Sequence, residues 1–327
     1  MINTFNEVTG GRTREQMVRS PVEQDTTFIF ASYAESDEQL QHTIFLVESI
    51  REFAGIHARA PVRVYLPETY EPSEATLIDR LHGLEVSVHT VGVPEESRWL
   101  YYSGKVYAAA VAEQQAVGMT SVLVWMDEDT VVLQPPDELS LAGEKVLAFR
   151  PVMHNRSGSA LAKPPDTFWK RVYEIADIDT EQLFPMMTIA DKVTIRPYFN
   201  AGLLAVRPEV GMLRRWPVVF EKLYEDETIC ELCRAEEKWR VFLYQAALVG
   251  AVLNLVEQSQ LVELDNRYNY PLFFEQHWQA ADRFDDISDV VTLRYDTYFR
   301  DPAPRWAQMR RSRPEVIDWL TARFGES

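Results

Sequence analysis

Cysteine is scarce in this chain, two among 327 residues, which excludes a fold stapled by several disulfides. Cys230 and Cys233 stand together in ICELC, a lone C-x-x-C that cannot by itself supply the four ligands of a structural zinc site. A redox role needs a strand-to-helix setting, whereas residues 225–239 read as polar helix or loop, so the thiols read as incidental and reduced. Six histidines occur, none at the H-x-x-x-H spacing of a helical metal site. Basic residues are outnumbered, 33 Lys and Arg against 50 Asp and Glu, for a net charge of −17. That balance excludes a general polyanion-binding surface, and nucleic acid is not an expected partner. A small anionic ligand would need local positive charge, from a bound metal or from a few placed Lys and Arg. Long apolar runs are missing too. Nothing approaches the ~18 to 20 residues that span a bilayer, and MINTFNEVTGGRTREQMVRSP lacks a signal peptide's apolar core, so the expected location is the cytoplasm. No internal repeat or low-complexity tract is found.

What is present is core-forming: 46% hydrophobic residues and 12% aromatics suffice for one large α/β domain or two smaller ones. The most informative stretch is SVLVWMDEDTVVLQPP, residues 121–136, where an apolar strand runs into three adjacent carboxylates and then resumes. In an extended backbone Asp127 and Asp129 share a face while Glu128 points opposite. Two hard oxygen ligands at a strand's carboxyl end suit Mg²⁺ or Mn²⁺, which keep several waters and bridge to phosphates. An acidic turn between two strands is the other reading.

Residues 1–25 are polar, with Gly10 and Gly11 adjacent, and read as a flexible arm. Strands are expected at 26–31, 61–66 and 84–91, alternating with helices at 38–53, 74–81 and 99–115, ahead of the carboxylate strand. This β-α-β-α-β-α-β order implies a mainly parallel sheet with helices on both faces and ligands outside the strands' carboxyl ends. Asp127 and Asp129 lie at that edge. Farther along, 145–149 and 203–206 read as strands, 167–176 and 239–255 as helices. Residues 155–165 form a polar loop, either a mobile lid or an ordinary surface connection. His154 follows KVLAFRPVM, either as a structural histidine or close to the ligand edge. Arg310, Arg311 and Arg313 form a basic cluster that reads as a solvated helix end.

Four segments, in order, resemble the GT-A nucleotide-sugar glycosyltransferases, in particular the glycogenin and lipopolysaccharide galactosyltransferase group called family eight. FIFASYAES is similar to the group's opening strand, whose end holds base and ribose; Ala31, Ser32 and Tyr33 fall there. WMDEDTVVLQPPDEL matches the strand with its D-x-D. YFNAGLLAVRP looks like the group's F-N-[AS]-G strand and puts Asn200, Ala201 and Gly202 at the donor-sugar pocket. LDNRYNYPL, residues 264–272, is similar to the group's L-P-x-x-Y-N-Y turn. Asn can donate to and accept from a sugar hydroxyl pair, and Gly admits close backbone approach, although a plain turn into a strand fits the same three residues.

The resemblance implies further roles. Lys105, in YYSGKVYAAAVAEQ, stands where the group carries a Lys or Arg touching the donor. If Ser103 caps that helix, Lys105 lies in the first turn, where the dipole disfavours a cation and a nearby phosphate relieves the conflict; a helix starting near Ser97 leaves it solvated. Gln245 falls in the group's D-Q-D segment beside the sugar, but Tyr244 and Ala246 replace both flanking acids, and a core-satisfied Gln is the alternative. In VVTLRYDTYF, residues 290–299, Arg294 stands where the group has the His that completes the metal site. A guanidinium cannot ligate a cation. Either Asp127 and Asp129 hold Mn²⁺ or Mg²⁺ with waters and the diphosphate, or Arg294 grips the diphosphate itself; with a slipped register it is a surface charge.

The expectation is therefore an α/β GT-A fold in one domain over 26–300, with a nucleotide-binding half through 136, an acceptor-facing half over 137–300 and a C-terminal helical extension over 301–327. The implied activity moves a hexosyl unit from a nucleoside diphosphate sugar, UDP-sugar first, to a hydroxyl acceptor, with retention. Metal would sit at Asp127 and Asp129, with Lys105 and Gln245 in catalytic positions. The rivals are an inactive nucleotide-sugar binder, in view of the missing His and acids, and a nucleotidyltransferase. The latter lacks a Gly-rich phosphate loop, since ASYAES contains no glycine.

Overall fold

A computed structural model describes residues 27–296 and 313–325. The arm at 1–25 and the arginines at 310 and 311 lie outside the described residues. In chain order the elements are β1 (Phe28–Tyr33), α1 (Asp37–Phe53), β2 (Val62–Pro67), α2 (Ala75–Gly83), β3 (Val86–Val91), α3 (Ser103–Ala116) and β4 (Val122–Met126). There follow β5 (Thr130–Val132), β6 (Leu147–Pro151), α4 (Thr167–Ile175), β7 (Met186–Met187), β8 (Thr194–Ile195) and β9 (Phe199–Val206). The remainder comprises α5 (Met212–Tyr224), α6 (Glu227–Ala235), α7 (Glu237–Leu253), β10 (Leu261–Glu263), β11 (Tyr270–Pro271), β12 (Thr292–Arg294) and α8 (Pro314–Phe324).

The main sheet has the order β10-β6-β9-β4-β1-β2-β3. Neighbours pair in parallel except β9, which runs antiparallel to both β4 and β6. The mainly parallel sheet flanked by helices is thus as expected. Every residue of β1, β4 and β9 is buried, which explains why they read as continuous apolar runs rather than alternating ones. On one face Leu40, Ile44 and Val47 of α1 pack against Phe30, Val64 and Val124. The other face is covered by α3, α5 and α7, where Ala108, Ala109 and Ala112 let α3 approach closely. Each fully buried Leu, Ile, Val or Phe contributes about 1.5–3 kcal/mol of transfer free energy. A small sheet, β11-β12-β5, packs beneath with Leu293, Tyr270 and Ile317 of α8.

Local chemistry sets the boundaries. Ser36 caps α1 by accepting from the Gln39 amide at 3.2 Å, with Asp37 and Glu38 in the first turn and Arg51 in the last, as the helix dipole favours. Helix α3 starts later than expected: Tyr102 adopts a left-handed φ of 60° and occupies the capping position, so Ser103 is the first helical residue and not the cap. Strand β9 starts earlier, at Phe199. Asn200, Ala201 and Gly202 are therefore strand and not a turn, because the Asp127 amide donates to Gly202 O at 2.9 Å and extends the ladder with β4. Residues 155–165 are irregular apart from a bridge between Ala160 and Ile195. Arg313 is no solvated helix end: it donates to Leu133 O at 2.6 Å and pairs with Glu315 at 2.8 Å.

Candidate functional site

The parallel strands deliver their carboxyl ends to one edge, and the antiparallel β9 begins there, so Asp127 after β4 lies beside Gly202. Residues 127–129 do not stay extended. Thr130 N donates to Asp127 O at 3.2 Å and closes a turn, so the period-two alternation does not apply and the acidic-turn reading describes the backbone. The two carboxylates converge all the same, because both reach Arg294. This side chain arrives on β12, which pairs with β5 and sets Arg294 opposite Thr130. Its Nε lies 3.0 Å from each oxygen of Asp129, and its Nη2 lies 3.0 Å from Asp127 Oδ2. Lys105 Nζ completes the cluster, 2.5 Å from Asp127 Oδ1.

Lys105 is in the first turn of α3, where the helix dipole disfavours a cation. Asp127 offsets that penalty. Burial is the largest influence and would lower the lysine's pKa, but Asp127, joined by Tyr244 and Glu128, more than offsets it and holds the ammonium above the ordinary range. Arg294 behaves alike, with burial overcome by Asp129 and then Asp127. Burial raises the Asp129 carboxyl against the opposing pull of Arg294. The Glu128 carboxyl is pushed up by desolvation, then by Asp129 and Asp127. The ammonium of Lys105 also lies over two rings, 4.9 Å from the centre of Tyr102 and 5.3 Å from that of Tyr244.

As ligands for Mn²⁺ or Mg²⁺, Asp127 and Asp129 do not fit. All four of their oxygens face Lys105 or Arg294 within 3.0 Å, and a divalent ion would have to displace a buried cation to reach them. Arg294, where the resemblance places a His, has no lone pair to offer. Among the described residues no group of three or more His, Cys, Asp or Glu is arranged to hold a metal ion.

On the other side of the cluster, Asn200 Oδ1 accepts from the Gly202 amide at 2.9 Å, and the Ala201 amide donates to Gln245 Oε1 at 3.1 Å. A Cβ at Gly202 would stand 2.9 Å from Asp127 Oδ2 and 3.0 Å from Arg294 Nη1, so the position admits only hydrogen without moving the charges. Two cavities lie near the cluster, the smaller of them lined by Arg294 itself. One of about 200 Å³ is lined by Asn200, Tyr244, Gln245, Arg294, Asp296 and His154. The other, about 750 Å³, is lined by Tyr33, Glu35, Tyr70, Arg98, Trp99 and Tyr101, among others. Tyr102 lines both.

Eight expected residues thus meet at one place: Lys105, Asp127, Asp129, Asn200, Ala201, Gly202, Gln245 and Arg294. Of the three in β1 only Tyr33 lines a cavity. Ala31 and Ser32 are buried between neighbouring strands, Ala31 opposite Arg63 and Trp125 and Ser32 opposite Val64, so their side chains do not form the cavity wall. Sequence reasoning missed Tyr102, Tyr244 and Asp296. The available signal was adjacency, since Tyr102 sits three residues before Lys105 and Tyr244 immediately precedes Gln245.

Comparison with solved structures finds similarity to the galactosyltransferase LgtC in complex with donor and acceptor sugar analogues, at 13% identity over 90% of this chain and 95% of that one, with a TM-score of 0.44. Mouse xyloside xylosyltransferase 1 in its apo form matches at 16% identity over 82% and 97% of the two chains, with a TM-score of 0.43. The bifunctional glycosyltransferase WbbM matches at 13% identity over 92% of this chain and 52% of that one, with a TM-score of 0.47. No curated protein matches in sequence. A family model described as the Rhodobacterales glycosyltransferase domain matches residues 32–255, more than half of the chain, and the protein belongs to that glycosyltransferase family.

Proposed function

We propose that the protein transfers a hexosyl unit from a nucleoside diphosphate sugar, a UDP-sugar in the first instance, to a hydroxyl acceptor. The observation that carries this reading is the charge cluster of Lys105, Asp127, Arg294 and Asp129, with Arg294 in the wall of a small cavity and Tyr102, whose ring lies beside Lys105, in the walls of both that cavity and a large aromatic one. The large cavity, with Tyr33, Trp99, Tyr101 and Arg98, suits a nucleotide, whose base stacks on aromatic rings and whose phosphates take a cation. The small cavity suits one sugar ring, with the amides of Asn200 and Gln245 able to read its hydroxyls. The diphosphate then spans the cluster.

In the reaction the bond from the anomeric carbon to the diphosphate oxygen breaks, with its electron pair going to the diphosphate. The acceptor oxygen bonds to that carbon, and its proton passes to the departing diphosphate. Charge develops on the leaving group, where fixed cations in a water-poor site stabilise it most. The nucleotide half is read as extending to residue 136 and the acceptor-facing half over 137–300, with retention at the anomeric carbon as the resemblance implies.

The test is release of nucleoside diphosphate from a panel of UDP-, GDP- and ADP-sugars, with and without simple glycoside acceptors. Turnover of one donor is expected. Binding of a donor without release under any acceptor condition would leave the inactive sugar-binding reading in its place, and failure to bind any donor would remove both.

A further inference from the structure

We propose that this chain stabilises the departing diphosphate with Lys105 and Arg294 in place of a divalent ion, so that donor binding and transfer proceed without metal. The inference rests on the transferase reading above and deepens it. Its starting point is the state of the two aspartates. Arg294 Nε is shared between both oxygens of Asp129, Arg294 Nη2 is on Asp127 Oδ2, and Lys105 Nζ is on Asp127 Oδ1. Two carboxylates and two cations balance one another, all at least four-fifths buried, with the carboxylates of Glu128 and Asp296 close enough to act on the same group. The aspartates act here as clamps that fix two cations at the sheet edge.

The cations keep donors to spare. A guanidinium carries five N–H groups and an ammonium three. Arg294 engages Asp127 and Asp129 through Nε and Nη2, and its Nη1 is the atom next to the space over Gly202, beside the small cavity that Arg294 lines. Lys105 engages Asp127, and its remaining face is toward the rings of Tyr102 and Tyr244. Tyr102 belongs to the walls of both cavities and Arg294 to the wall of the smaller, so a diphosphate running from one to the other passes Arg294 directly and Lys105 across the Tyr102 ring. As the bond from the anomeric carbon to the diphosphate oxygen breaks and its electron pair moves onto the diphosphate, the new charge falls next to N–H groups already held in position. The acceptor oxygen forms the new bond and its proton goes to the diphosphate, so no further reactant is required.

The experiment measures UDP, GDP and ADP binding to the full chain by calorimetry in chelator and again in Mn²⁺, together with Mn²⁺ binding to the protein alone by electron paramagnetic resonance. One nucleoside diphosphate is expected to bind equally in both conditions, and Mn²⁺ alone is expected not to bind. Arg294→Ala should weaken that nucleotide about ten- to a hundred-fold in chelator, the worth of one or two charged hydrogen bonds. Arg294→Lys, which keeps the charge, should lose less, and circular dichroism establishes that each variant is folded. Arg294→His removes the guanidinium and adds a nitrogen ligand beside Asp127 and Asp129, so Mn²⁺ binding should appear and nucleotide binding should become metal-dependent. Should the parent protein bind the nucleotide only with Mn²⁺, or take up Mn²⁺ by itself, the inference is overturned while the transferase reading stands. If no nucleoside diphosphate binds in either condition, the transferase reading fails and the inference with it.

Discussion

The phenol of Tyr33 lies so close to Gly104 that a Cβ at position 104 would stand 1.9 Å from its Oη. The ring is held there by donation to Glu35 Oε2 at 2.9 Å, and it forms part of the large cavity's wall. Gly104→Ala must therefore evict the ring. Overpacking of this kind costs about 1–3 kcal/mol, and the same movement reshapes the proposed nucleotide site. Denaturant unfolding should show the loss, and calorimetry should show weaker UDP binding; unchanged values in both would mean that Tyr33 does not help to form the site.

Lys105→Met should be more costly to the fold than a surface lysine change. It leaves Asp127 buried with one of its two cationic partners gone, and breaking a buried pair typically costs about 3–5 kcal/mol. Adding Asp127→Asn should restore part of that stability. Strictly additive losses in the double-mutant cycle would show that the two groups do not interact.

Gly202→Ala places a methyl group 2.9 Å from Asp127 Oδ2 and 3.0 Å from Arg294 Nη1. Turnover should fall on the order of 100-fold, the usual effect of misplacing groups by about 1 Å, alongside the stability loss of about 1–3 kcal/mol that overpacking brings. Parent-like turnover would mean that the position of Arg294 is not critical.

Acid should destabilise the protein through the buried His57 and three half-buried histidines. Burial lowers the His57 pKa despite Asp137 at 3.6 Å, and the ring stacks on Phe28 with centroids 4.0 Å apart. A histidine with a lowered folded pKa contributes stability that is present above its unfolded value near 6.5 and is lost as pH falls through the folded one. His42, His89 and His154 shift in the same direction, each chiefly by burial. Between pH 7 and pH 5 the parent should lose more stability than His57→Gln, as read from melting curves; identical slopes would contradict the assignment.

The fold was readable where burial is two-sided and uninterrupted. FIFASY, VLVWM and the apolar part of β9 leave little choice but central strands, and the helices that separate β1, β2, β3 and β4 require the parallel pairing of those four. The start of β9 was not readable, because Asn200 and Gly202 resemble turn residues until β4 lies alongside. The gathering of Lys105, Asp127, Asn200 and Arg294 came from motif resemblance, since their separation along the chain erases any local signal. Two things escaped both routes. Which partner satisfies each carboxylate depends on three-dimensional proximity alone, and the left-handed Tyr102 has no compositional marker, because only its surroundings stabilise that backbone.

Strand β12 reaches Asp129 from 165 positions farther along the chain. During synthesis the acidic turn therefore emerges long before its guanidinium, and for that interval a nascent chain carries uncompensated carboxylates at an unfinished sheet edge. A product stopped just short of residue 294 would retain all seven strands of the main sheet but lack the counterion of its acidic turn, which makes it a substrate for chaperones and proteases rather than a slower enzyme.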